Sequence, residues 1–210
     1  REQVKKQSRI NLSYEIKHST KFSHLIFPEP HPTKMMQRTF PRLTRIICFD
    51  GITSIDLPAP EGPVGPSPDN IDTYKKAIYN PNSKSLFTST HVGVFLPTGE
   101  KLTGQVGTSP NLISPPQAKL LARNSGLRLL STIHNYLDGD LTRVAQITKL
   151  TGFVNTEEGF GGLGEVMNGC SELLIEVFGP HVGVGVRQSS GASSLAGNSA
   201  VSIDIELQLK

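Results

Sequence analysis

Tryptophan is absent and aromatic residues make up only 6% of the 210 positions, so stacking platforms for unpaired bases are not a theme of this chain. Two cysteines, Cys48 and Cys170, are too few for a disulfide scaffold and have no metal-binding spacing. No apolar run approaches the roughly 18 residues that a membrane span needs, which excludes a transmembrane helix from the sequence reading. The phosphate-cradling G-x-x-x-x-G-K-[ST], the zinc-protease H-E-x-x-H and the redox or zinc C-x-x-C are all missing. What remains is ordinary for a folded domain: 36% hydrophobic and 19% charged residues, in a length that suits one domain plus an appendage.

The net charge of +3 is unevenly spread. Between Arg1 and Phe49 ten Lys and Arg face three Glu, a net +7, while Asp50 to Lys210 carries eleven basic and fifteen acidic residues, a net −4. A basic arm on a mildly acidic body predicts a polyanionic partner for the arm: RNA, or a large assembly contacted through residues 1–49. A solvated tail accounts for the same charge. The sequence begins at Arg1, and its basic, polar opening resembles that of a mature mitochondrial protein, so a mitochondrial location is expected, with the cytoplasm as the alternative.

Prolines 28, 30, 32 and 41 break up the first quarter, where Leu43–Phe49 is the one candidate strand. The run from Leu57 to Pro68 is so rich in Pro and Gly that it reads as a stiff connector. The expected organisation is an N-terminal extension over 1–56 and a domain over 57–210. Within the domain, Tyr74–Tyr79 and Ser85–Thr90 read as strands around an Asn80-Pro81-Asn82-Ser83 turn. Ser114-Pro115-Pro116-Gln117 is a helix start: the serine caps, proline suits the first turn, and Gln117 closes a capping box. Leu121, Leu130, Ile133 and Leu137 follow at helical spacing. Arg143–Val154 reads as a strand, and Leu163–Phe178 as a second helix ended by Gly179-Pro180. Val182, Val184 and Val186 alternate with glycines, and Val201–Leu209 alternates apolar and polar residues with period two, so two further strands are predicted. The order β-β-(β)-α-β-α-β-β predicts an α+β fold with helices on one face of a mixed sheet.

Few residues suggest chemistry. The glycine-rich Gly159–Gly164 precedes a helix and reads either as an anion seat or, better, as a flexible turn. Ser89 and Ser131 lack a nucleophile-elbow context, and of six scattered histidines only His91 is a candidate to line a pocket. Arg187 is the exception. It ends a Gly/Val stretch with few carboxylates nearby, which suits it to grip a ligand carboxylate with its planar fork. A salt bridge to another subunit would use the same residue equally well.

The stretch Leu150-Thr-Gly-Phe-Val-Asn155 and then Val166-Met-Asn-Gly-Cys-Ser-Glu-Leu-Leu-Ile-Glu-Val-Phe-Gly179 resembles the RidA/YjgF family, also called the L-PSP endoribonuclease family. Its members read K-L-T-G-F-V, then V-N-G-A-S-D-L-L-V-E-V-F-G, then A-R-S and a final V-E-V-E strand. Tyr74-Lys-Lys-Ala-Ile78, Ser85-Leu-Phe-Thr-Ser89 and Pro97-Thr-Gly-Glu-Lys-Leu-Thr-Gly104 look like its earlier motifs, so the likeness runs in order over about 57–209. The resemblance implies a chorismate-mutase-like fold, a homotrimer or pseudo-trimer, and a small carboxylate-bearing ligand at each subunit interface. It implies hydrolysis of 2-imino acids or enamines to 2-oxo acids and ammonia, with no cofactor and no metal.

On that resemblance Arg187 falls on the substrate-binding arginine, while Tyr74, Ser89 and Asn168 fall on ligand-binding positions. Ser202 falls on the catalytic position where the family has a water-activating glutamate, and a serine cannot polarise water as a carboxylate does. The expected function is therefore a small-molecule-binding protein of RidA type whose deaminase activity is weakened or lost. A non-catalytic subunit of a ribonucleoprotein assembly, using the basic arm, is the alternative. An endoribonuclease acting on single-stranded RNA ranks third, because no acid–base pair is placed for it.

Overall fold

The computed structural model describes residues 43–59 and 74–210. The arm before residue 43 and the Pro-rich connector beyond residue 59 lie outside the described residues. Ten named elements follow in order: β1 (Leu43–Ile47), β2 (Ser54–Pro58), β3 (Ala77–Asn80), β4 (Ser85–Thr88), β5 (His91–Gly93), α1 (Pro115–Tyr136), β6 (Val144–Asn155), α2 (Leu163–Gly183), β7 (Val186–Ala192) and β8 (Val201–Leu209).

β1 and β2 form a separate antiparallel hairpin, closed on its exposed side by Arg45 Nε to Asp56 at 2.9 Å. Leu57 of β2 is fully buried, and Ser131 Oγ of α1 donates to Pro58 O at 2.7 Å, so the hairpin is fastened to the helix layer. The boundary expected between residues 56 and 57 runs through β2.

The main sheet has strand order β3-β4-β8-β6-β7, with β5 continuing along the β4 edge of β8. Only β6 and β7 are parallel. The period-two reading of β8 holds: Val201, Ile203, Ile205, Leu207 and Leu209 are all buried. They lie under α1, and α2 covers β6 and β7, so both helices sit on one face of a mixed α+β sheet, as expected. Ser202, Asp204, Glu206 and Gln208 point to the other face.

α1 starts at the predicted signal, with Ser114 as N-cap, a capping box closed by Gln117, and proline in the first turn. The end of α2 differs from expectation. Gly179 adopts φ +76°, which breaks the helical ladder as its sequence suggests, but Pro180 then opens one more helical turn through Gly183. Val182 therefore belongs to a helical turn, and the strand begins only at Val186.

Where the layers approach most closely, glycine is the only residue that fits. A Cβ on Gly169 of α2 would lie 1.9 Å from Lys119 O of α1, and one on Gly93 of β5 would lie 1.8 Å from Leu121 O. Beside this contact, Lys119 pairs with Glu172 at 2.7 Å and Arg123 with Glu176 at 2.6 Å, tying α1 to α2.

Candidate functional site

Arg187 lies in β7, the edge strand beyond β6, in register with Leu150. Leu150 is buried on the helix side of the sheet, and register puts Arg187 on that side too. Its Nη1 donates to Asn168 Oδ1 at 2.8 Å and to Ser171 Oγ at 3.2 Å. Asn168 and Ser171 are three residues apart, hence neighbours on one face of α2. Both partners are neutral, and Arg187 forms no ion pair among the described residues. Two acceptors fix one end of the guanidinium, while Nε and Nη2 donate to no described residue. An arginine held this way keeps a free edge of two donors in fork geometry.

Beside it is a cavity of about 220 Å³. Ile147, Leu150, Leu174, Ile175 and Val184 give it aliphatic walls, and Ser171 and Arg187 are its polar members. Its rim is pinned by Gln146, whose Nε2 donates to the carbonyls of Ile147 at 3.1 Å, Val182 at 3.2 Å and Val184 at 2.7 Å. This amide sits between two irregularities in the β6–β8 pairing and ties β6 to the connection between α2 and β7. Ser171 and Gln146 were not anticipated. Ser171 had a signal, its spacing of three from Asn168, whereas Gln146 had none.

The other expected site residues are not gathered here. Tyr74, just before β3, is 63% exposed, with Lys76 Nζ 5.3 Å from its ring centre. Ser89 follows β4; its backbone N–H donates to Lys76 O at 2.8 Å and its buried Oγ has no hydrogen-bond partner among the described residues. β3 and β7 are opposite edges of the sheet, four strand spacings or roughly 19 Å apart. β4 is three spacings from β7, roughly 14 Å, so within one chain neither Tyr74 nor Ser89 adjoins the Arg187–Asn168 pair. Ser202 is 8% exposed and paired with Val92 and Phe153, on the face away from the helices and from Arg187. On that same face burial raises the Asp204 carboxyl above its ordinary range, with the Lys149 charge and a Thr151 hydrogen bond opposing.

His91 is a core residue. Nδ1 lies 2.9 Å from Ser89 O, which can only accept, so Nδ1 carries the proton. Nε2, 2.7 Å from Thr132 Oγ1, then accepts from the hydroxyl. Ser125 Oγ donates to His91 O.

No family model matches the chain. Protein TCP17 of Trypanosoma cruzi is 35% identical over 122 residues, a stretch covering 57% of this chain and 74% of that protein. The chain belongs to the same family as that protein. A crystal structure of a protein of unknown function from Agrobacterium tumefaciens superposes with a TM-score of 0.58 at 25% identity, covering 66% of this chain and 83% of the other. A candidate endoribonuclease from Shewanella oneidensis gives 0.57 at 21% identity, covering 70% and 92%. With the motif order and the sheet topology, these place the fold. The domain has the RidA/YjgF-type fold. No helix among the described residues of this RidA/YjgF-type protein is long and apolar enough to cross a membrane. The +7 charge behind the assembly reading belongs almost wholly to residues before 43; Arg45, the one described exception, is bonded to Asp56.

Proposed function

We propose that this RidA/YjgF-type protein binds small carboxylates through Arg187 and has lost the group that would hydrolyse an imine. The observation that carries the reading is the guanidinium held by Asn168 and Ser171 with two donors to spare and no acidic partner among the described residues. Ser202, at the position of the family glutamate, can neither accept a proton from water near neutral pH nor polarise it strongly. The ligand's other contacts come from a neighbouring copy, because within one chain Tyr74, beside the far edge strand, and Ser89, after β4, lie four and three strand spacings from β7. The face away from the helices supports such assembly: Ile78, Phe87 and Val186 lie exposed on it, in one cross-strand row with Glu206 and Lys149.

The test is calorimetric titration with 2-oxobutanoate, beside ammonia release from freshly generated 2-iminobutanoate. The wild type binds, Arg187→Ala binds about tenfold to hundredfold more weakly, and Arg187→Lys falls between, since charge survives but the fork does not. Ammonia appears at the rate seen in buffer. Equal binding by wild type and Arg187→Ala removes the carboxylate reading. Accelerated ammonia release that Arg187→Ala abolishes removes the claim of lost hydrolysis.

A further inference from the structure

The walls of the cavity beside Arg187 carry information that the arginine alone does not. A site for the smallest carboxylates needs only the fork and a few polar contacts. Here the space next to the guanidinium is bounded by Ile147 and Leu150 of β6, Leu174 and Ile175 of α2, and Val184 of the connection. Water in such a space gains few hydrogen bonds, and an aliphatic chain replacing it is favoured by the area removed from solvent. The floor is set by backbone: a Cβ on Gly183 would lie 2.4 Å from Leu174 O, and one on Gly185 2.4 Å from Ile147 O. The Gln146 amide holds the adjoining carbonyls of Val182 and Val184. The cavity is therefore a built feature of the chain with a fixed floor.

We infer that the ligand is an aliphatic carboxylate, with its head on the Nε–Nη2 edge of Arg187 and a branched or medium-length hydrocarbon tail between β6, α2 and Val184. The inference rests on the carboxylate-binding reading above and names the ligand class for it. Ser171 holds the boundary between the two halves: its hydroxyl binds the guanidinium, and its position on α2 is one turn before the Leu174–Ile175 wall. Tail length is what this wall senses, and polar tails are rejected because the wall offers them no partner.

The experiment is a titration series on the full-length protein with acetate, butanoate, hexanoate and 4-methylpentanoate, with hexanoate repeated on Ile175→Trp and Val184→Phe. Affinity rises about fourfold per added methylene until the cavity is full. Both variants lose the gain from tail length, so hexanoate binds them no more tightly than acetate binds the wild type. Ile175 and Val184 are partly exposed at 38% and 52%, so the enlarged side chains do not disturb the core. A series that binds with one affinity regardless of tail, and with the Arg187→Ala loss intact, overturns the tail site and leaves the carboxylate reading standing. A series in which nothing binds overturns both. If one variant fails to fold, the other and the wild-type series still decide.

Discussion

Replacing Gly169 with alanine is expected to destabilise the domain by about 3 kcal/mol or more, at the upper end for small-to-large changes in a packed interior. The reason is geometric. The new methyl would stand 1.9 Å from Lys119 O and 2.9 Å from its carbonyl carbon, and both atoms are backbone of α1. A helix cannot move one carbonyl aside without moving the turn around it, so α1 and α2 must separate. That separation strains the buried faces on both helices, including Leu121, Ala122, Cys170 and Leu173. It also stretches the Lys119–Glu172 and Arg123–Glu176 pairs. Two comparisons isolate the mechanism. Gly152→Ala meets the flexible end of Met167, with Cε at 2.2 Å, and costs about 1–2 kcal/mol. Gly161→Ala meets nothing within 4 Å and is neutral to within about 0.5 kcal/mol. Urea unfolding of the three variants reads the order directly. A Gly169→Ala protein as stable as Gly161→Ala would mean that the helices are not in contact there.

The second large effect is acid sensitivity above the range where carboxylates titrate. Burial holds the His91 imidazole well below its ordinary pKa of 6.5, at about 4, with the Ser89 carbonyl opposing and the Lys76 charge adding to the depression. The folded protein thus keeps His91 neutral while the unfolded chain protonates it. Stability is complete above pH 6.5 and is lost as the pH falls from 6.5 towards 4, because in that window only the unfolded state gains the proton. The loss by pH 4.5 is about 2–3 kcal/mol. His134, depressed by burial, acts in the same direction. Asp50, Asp56, Asp140 and Glu157 have lowered pKa values through their hydrogen bonds, so their contribution is lost at still lower pH. Urea midpoints at pH 7.0 and 4.5 measure the effect. His91→Gln should be less stable at pH 7.0 and show a shallower decline. A wild-type protein equally stable at both values would contradict the buried neutral imidazole.

Much of this fold was legible because it is written in local patterns. β8 alternates strictly since one of its faces is covered and the other is not. α1 announces its start because Ser114, the prolines and Gln117 each satisfy a different need of a helix terminus. β5 was missed because three residues, His91–Gly93, are too few to establish a period. The extra turn after Gly179 was missed because a proline that ends one helix is equally able to begin another.

The candidate site divides in the same way. Arg187 stood out because its neighbours are small and uncharged, and Asn168 because its motif is recognisable. That Asn168 Oδ1 actually meets Arg187 depends on the parallel pairing of β6 with β7 and on the angle at which α2 crosses them, neither of which a single sequence encodes locally. The Met167-Asn168-Gly169 segment shows two demands side by side: Asn168 faces the guanidinium and Gly169 faces α1. The cavity itself had no sequence signature, since Ile147, Leu174 and Val184 look like any other core or connecting residues.

The measurement that bears most directly on the central claim is a crystal structure of the full-length protein grown with butanoate. The account predicts a carboxylate about 2.7–2.9 Å from Nε and Nη2 of Arg187, with Nη1 still on Asn168 and Ser171. An Arg187 side chain closed onto an aspartate or glutamate of a neighbouring copy, with butanoate absent from it, would contradict the account.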